Sequence, residues 1–173
     1  KGLLLGPDRT PGALTHRVSA GERYLEKLPA MVEPDVNPNI TILHEDEALL
    51  VVNKPAPLPM HAGGRYNRNT LWYILSIAYH PQKPHPAHRL DAIVTGLVLV
   101  PRTRHFAKLL QPQFARGEIK KTYLTRVQGT PAAETFVCEA PISVEAGKAG
   151  SREVDHENGC SARTEFKVLK RDP

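Results

Sequence analysis

Cysteine is nearly absent from this chain. Cys138 and Cys160 are its two thiols, too few for a disulfide framework and not spaced as zinc ligands, so two ordinary thiols of a reducing compartment are expected. Long apolar runs are lacking as well: the longest, such as Gly96 to Val100, are strand-sized, far short of the roughly 18 residues of a membrane span, and no membrane partner is expected. No G-x-S-x-G elbow supports a Ser/His/Asp triad, and no G-x-x-x-x-G-K-[ST] loop is present to cradle a nucleotide's phosphates. Paired carboxylates for glycoside hydrolysis are wanting, because the other acids of the middle segment are the 45–47 cluster and Glu118. His80, His85 and His88 stand among prolines without the helical spacing of four that a metal site favours, and no metal is expected. The chain begins at Lys1 and not at a methionine, so a targeting peptide is not readable from it; an intracellular setting is expected, with cytoplasm and mitochondrion not distinguished.

What is present is basic and strand-rich. At 173 residues and 40% hydrophobic, the chain is long enough to bury one domain's core, with a small appendage. The net charge is +5, and it is unevenly placed: between His44 and Arg126 there are twelve Lys and Arg against five Asp and Glu, an excess of seven. A basic surface around few acids suits a polyanion such as nucleic acid.

Residues 1–39, with five prolines and no sustained periodicity, read as an extended lead-in, with "THRVSAGERYLEKL" a short hairpin or strand pair. Residues 40–173 read as the organised domain. "ITILHEDEALLVVNKP" predicts two strands around an acidic turn at His44 to Glu47, and "APLPMHAGGRYNRN" a loop. Asn69 or Thr70 then caps a helix with apolar positions Leu71, Ile74, Leu75 and Ala78, so that a basic loop opens onto a helix N-terminus, a natural phosphate site. Gly96 to Val100 predicts a central strand. "RTRHFAKLLQPQFARGEI" predicts a helix with Phe106, Leu109, Leu110 and Phe114 near one face, kinked or shortened by Pro112. "KKTYLTRVQG" predicts a strand by period two, and further strands are expected at Thr135 to Cys138 and Ala162 to Leu169. The class is α+β, a mostly antiparallel mixed sheet with flanking helices.

Asp91 stands out against this background. Bracketed by Leu90 and the Ile93-Val94 pair, it is poor in strand propensity and costly to desolvate, so a sequence needing only a strand here has little reason to place it. Arg89 lies two residues earlier, and on an extended segment both side chains project from one face. An arginine so placed favours an anionic nucleophile or base, and the same pairing also serves as a purely structural ion pair at a strand start.

"HRLDAIVTGLVLV" resembles the signature of the RluA family of RNA pseudouridine synthases, H-R-L-D-x-x-T-S-G followed by an apolar strand. "ILHEDEALLVVNKPAPLPMH" is similar to that family's first motif, and "KKTYLTRVQG" to its K-x-Y-x-a-x-V-x-G strand. "GGRYNRNTLWYIL" resembles a stretch of the eukaryotic branch that acts on tRNA. The resemblance spans about residues 36 to 170. It implies a pseudouridine synthase catalytic-domain fold and the isomerisation of uridine to pseudouridine in tRNA or rRNA, without cofactor or metal. By the same resemblance Asp91 is the catalytic aspartate, Tyr123 packs against the flipped-out base, and Arg89 takes the base's place and orients Asp91. Lys54, Arg65, Arg68, Asn69, His88, Thr95 and Gly96 are the expected substrate-binding residues, with Lys54, Arg65 and Arg68 on the rim of the cleft.

Two departures accompany the likeness. Ala92, Ile93 and Val94 replace a segment that commonly carries a polar or charged residue and a threonine, and the family's last motif, G-R-T-H-Q-I-R in type, is missing after "CSARTEFKVLKRDP". The catalytic domain is therefore expected to be incomplete at its C-terminal side. A non-catalytic RNA-binding relative, acting as an assembly or folding factor, is the alternative.

Overall fold

The computed structural model describes residues 4–6, 10–12, 15–26, 32–146 and 151–171. It consists of two compact units, Lys1–Lys120 and Lys121–Pro173. Every ladder among the described residues is antiparallel, and the class is α+β.

The first unit is built on a three-stranded sheet in the order β3 (Thr41–Glu45), β4 (Leu49–Lys54) and β5 (Gly96–Pro101). Asp46 makes the turn between β3 and β4: its Oδ1 accepts the amides of Ala48 and Leu49, both at 2.8 Å, as the acidic stretch predicts. Period two then sets the buried face. Leu50 and Val52 of β4 and Val98 and Val100 of β5 are fully buried, and helix α1 (Leu71–Ala78) packs Leu71 and Leu75 onto them. Leu58 and Met60, from the loop after β4, and Leu90 complete this core. Ala78, expected on the apolar face, ends α1 and is exposed.

Helix α2 (Arg104–Ala115) is capped by Thr103, whose hydroxyl accepts the Phe106 amide. It runs through Pro112 for one more turn and stops at Gly117, whose φ of +70° suits glycine. Phe106, Leu110 and Phe114 share its half-buried side, whereas Leu109 is exposed, being one position off that i, i+4 row. The lead-in contributes β1 (Leu4–Leu5) paired with β2 (Leu25–Glu26). The strand pair expected within "THRVSAGERYLEKL" thus takes its partner from further upstream; Lys27 and Leu28 lie outside the described residues.

The second unit holds one hairpin-like pair, β6 (Thr135–Cys138) with β7 (Thr164–Lys167), on which Phe136 and Phe166 stack at 4.7 Å. Cys138 and Cys160 are free and exposed. The strand expected from "KKTYLTRVQG" does not form: residues 121–127 enter no ladder among the described residues, and all are exposed. Alternation supplies two faces, but a strand also needs a neighbour's backbone groups and a layer to cover one face, and among the described residues this segment joins no ladder and stays exposed. Among the described residues, no helix is long and apolar enough to cross a membrane.

Candidate active site

Residues 85–91 run beside the outer edge of β5. The amides of His85 and Ala87 donate to the carbonyls of Pro101 and Leu99, both at 2.8 Å, and the Leu99 amide donates to His88 Nε2 at 3.1 Å. The His88 ring also stacks on Phe114, 4.6 Å between centroids. Leu90, 8% exposed, plugs the core. With Leu90 turned inward, extended geometry turns Arg89 and Asp91 outward, and both are exposed, as their spacing predicts. Among the described residues no ion pair joins them, so the purely structural Arg–Asp pair is not formed.

The chain turns sharply after Asp91, whose carbonyl accepts the Val94 amide at 3.0 Å. Beneath this turn lies Lys54. It occupies the buried register of β4, after Leu50 and Val52, and is fully buried. Its ammonium donates to the carbonyls of Pro55 (3.0 Å), Leu58 (2.8 Å) and Ala92 (3.3 Å), while the Leu58 amide donates to Ala92 at 2.9 Å. Burial lowers the Lys54 pKa below the ordinary lysine range, and the nearby Asp91 carboxylate opposes that shift. Lys54 is therefore an internal tie under the Asp91 turn, not the rim residue the resemblance led us to expect. Gly96 pairs with Lys54 across the sheet and has a φ of +127°, a conformation that a side chain would strain. Thr95 beside it is exposed.

One residue of this neighbourhood escapes the sequence reading. His61 follows Met60, and partial burial, then the Arg89 guanidinium, push its imidazole below the usual histidine range. A neutral ring beside Arg89 offers both a donor and an acceptor. Its only signal in the sequence is its place at the end of the first motif.

The arginine loop is built differently. Gly63 and Tyr66 exchange backbone hydrogen bonds of 2.9 and 3.0 Å, which puts Gly64 and the exposed Arg65 at the tip of a tight turn. Arg68 is exposed, its guanidinium 6.0 Å from the Tyr73 ring centre. Asn69 is committed internally, its side-chain amide donating to the Pro34 carbonyl at 2.9 Å. The helix N-terminus behind this loop does not form the expected phosphate site, because the first-turn amides of Leu71, Trp72 and Tyr73 donate to Pro59 O, Met60 O and the Thr70 hydroxyl. Tyr123, the remaining expected residue, belongs to the second unit and is 59% exposed.

Comparison with known proteins places this geometry in a family. The family model described as RNA pseudouridylate synthase matches residues 48–173, and the chain belongs to that family. It is 33% identical over 127 residues to the human pseudouridylate synthase RPUSD2, covering 73% of this chain and 22% of that protein. It is 31% identical over 131 residues to the dual-specificity RNA pseudouridine synthase RluA of Yersinia pestis, covering 76% of this chain and 63% of that one. The chain thus spans only part of these relatives. Among solved structures, human RNA pseudouridylate synthase domain containing 1 superposes with a TM-score of 0.61 at 21% identity, over 80% of this chain and 55% of that one, a likeness of fold.

Proposed function

We propose that this protein isomerises uridine to pseudouridine in structured RNA, tRNA or rRNA, through Asp91 and without a cofactor. The carrying observation is that Asp91 faces solvent from a segment anchored by His88 and Leu90, over a turn tied by Lys54, in a chain of this family. A nucleophile or base needs this combination of access and fixed direction. In this reading a target uridine leaves its stack and Tyr123 packs against its uracil. Asp91 opens the glycosidic bond so that the base turns and rejoins the sugar through carbon, while Arg89 fills the vacated place. Arg65 and Arg68 take flanking phosphates.

The test uses the full-length protein and a panel of tRNA and rRNA substrates, with pseudouridine quantified by mass spectrometry. Product in at least one RNA is expected, along with affinity whose log-log salt slope is about −0.7 per neutralised phosphate on single-stranded RNA. No product across the panel from folded, full-length protein would overturn the proposal, and salt-sensitive binding without product would identify a non-catalytic RNA-binding relative.

A further inference from the structure

Glu33 lies upstream of residues 48–173, the segment the family model matches, yet it is bonded to the loop that carries the two proposed phosphate-binding arginines. Its Oε2 accepts the backbone amides of Asn67 (2.9 Å), Arg68 (2.9 Å) and Asn69 (2.8 Å), and its Oε1 accepts the Arg68 amide at 3.0 Å. The neighbouring residues continue the attachment. Pro34 O accepts the Asn69 side chain at 2.9 Å, the Asn37 amide donates to Pro57 O at 2.8 Å, and the Asn37 side chain donates to Ala56 O at 3.3 Å. Residues 33–37 therefore grip both ends of the 56–69 loop.

Three successive amides converging on one carboxylate fix the local backbone, because each would otherwise point to water in an independent direction. Arg65 and Arg68 depend on that backbone for where their guanidinium groups stand. Glu33 brings a negative charge to a surface proposed to bind a polyanion, and by charge alone this works against binding. The several bonds made by its neighbours mark the carboxylate as part of a continuous attachment rather than a phosphate stand-in that RNA displaces.

We infer that Glu33 is a positioning residue for RNA recognition: by clasping the amides of residues 67–69 it sets the Arg65/Arg68 loop in its phosphate-binding conformation. This rests on the function proposed above. The backbone amides hold the Glu33 carboxyl below the usual glutamate range, so the clasp is charged at neutral pH and is lost only on acidification through that lowered value.

Removing an acid beside two arginines ordinarily strengthens anion binding; here Glu33→Ala should weaken it. RNA affinity of the full-length protein is measured against salt for the parent, Glu33→Ala, Glu33→Gln, Arg65→Ala/Arg68→Ala and the triple variant. The salt slope of Glu33→Ala should flatten toward that of the arginine variant, by up to about 1.4 if two phosphate contacts are lost. Glu33→Gln, which keeps one acceptor oxygen, should fall between it and the parent. Adding Glu33→Ala to the arginine variant should change affinity no further, whereas a merely structural role would add to it. The activity loss should fall on KM rather than kcat, and hydrogen exchange at the amides of 67–69 should accelerate. Tighter or unchanged RNA binding by Glu33→Ala would overturn the inference, as would additivity in the triple variant. If Glu33→Ala does not fold, Glu33→Gln decides by the same signs. A parent that does not bind RNA overturns the proposed function itself, a result read before any variant is compared.

Discussion

Residues 85–101 and residues 121–127 both carry side chains on which the proposed chemistry depends, and they are held in opposite ways. In the first, β5 gives backbone partners to His85, Ala87 and His88, and Leu90, Val98 and Val100 enter the core. In the second, Tyr123 is 59% and Leu124 88% exposed, and no ladder forms among the described residues. Both stretches contain a strand-like run, Gly96 to Val100 in the first and Tyr123 to Val127 in the second. The difference lies in what meets them: an apolar layer on one side and a neighbour's amides and carbonyls at the edge. A direction fixed for Asp91 follows from that meeting and not from the H-R-L-D letters alone.

The comparison implies a graded response to substitution. Leu90→Ala should destabilise the first unit by about 2–5 kcal/mol, the usual cost of a core leucine, seen as a lower denaturant midpoint; a loss under about 1 kcal/mol would mean that Leu90 does not anchor the segment. Lys54→Met keeps the side-chain length but takes the ammonium away from the buried carbonyls of Pro55 and Leu58, Ala92 O keeping the Leu58 amide, and should cost about 1–3 kcal/mol. Smaller still is the effect of Asp46, whose carboxyl is lowered to about 2, first by the His44 hydrogen bond and then by the Ala48 and Leu49 amides. A depressed carboxyl stabilises the fold above its unfolded value and loses that contribution as pH falls through about 2. The stability gap between the parent and Asp46→Asn should therefore be full at neutral pH and close on acidification. Leu124→Ser should shift stability by no more than about 0.5 kcal/mol, as for an exposed site. A cost approaching that of Leu90→Ala would erase the contrast between the two segments.

These same contrasts mark what the sequence made legible. Local chemistry was read from the letters: the α1 cap was narrowed to Asn69 or Thr70, of which Thr70 supplies it, Asp46 turns the β3–β4 hairpin, and period two through Leu50, Val52, Val98 and Val100 marks the core face. Asp91 stood out as a carboxylate at the head of an apolar run and Arg89 by its place two residues earlier, while their roles came from the family resemblance. Three other readings turned on partners elsewhere in the chain. Lys54 was placed on the rim by the family resemblance, whereas the carbonyl of Ala92, 38 residues away, helps to satisfy it inside. Glu33 drew no attention because the amides it accepts are 34 to 36 residues further on. The helix N-terminus at Leu71 looked vacant until Pro59 and Met60 filled it.

Asp91 itself provides the most direct test. Asp91→Asn preserves the side chain's size and removes its negative charge, and Asp91 is exposed, so the fold and RNA affinity of the full-length protein should persist. Pseudouridine formed by the parent and by Asp91→Asn is quantified by mass spectrometry on an RNA the parent modifies. The account predicts product from the parent and none above background from Asp91→Asn at equal bound RNA; comparable product from both would contradict it.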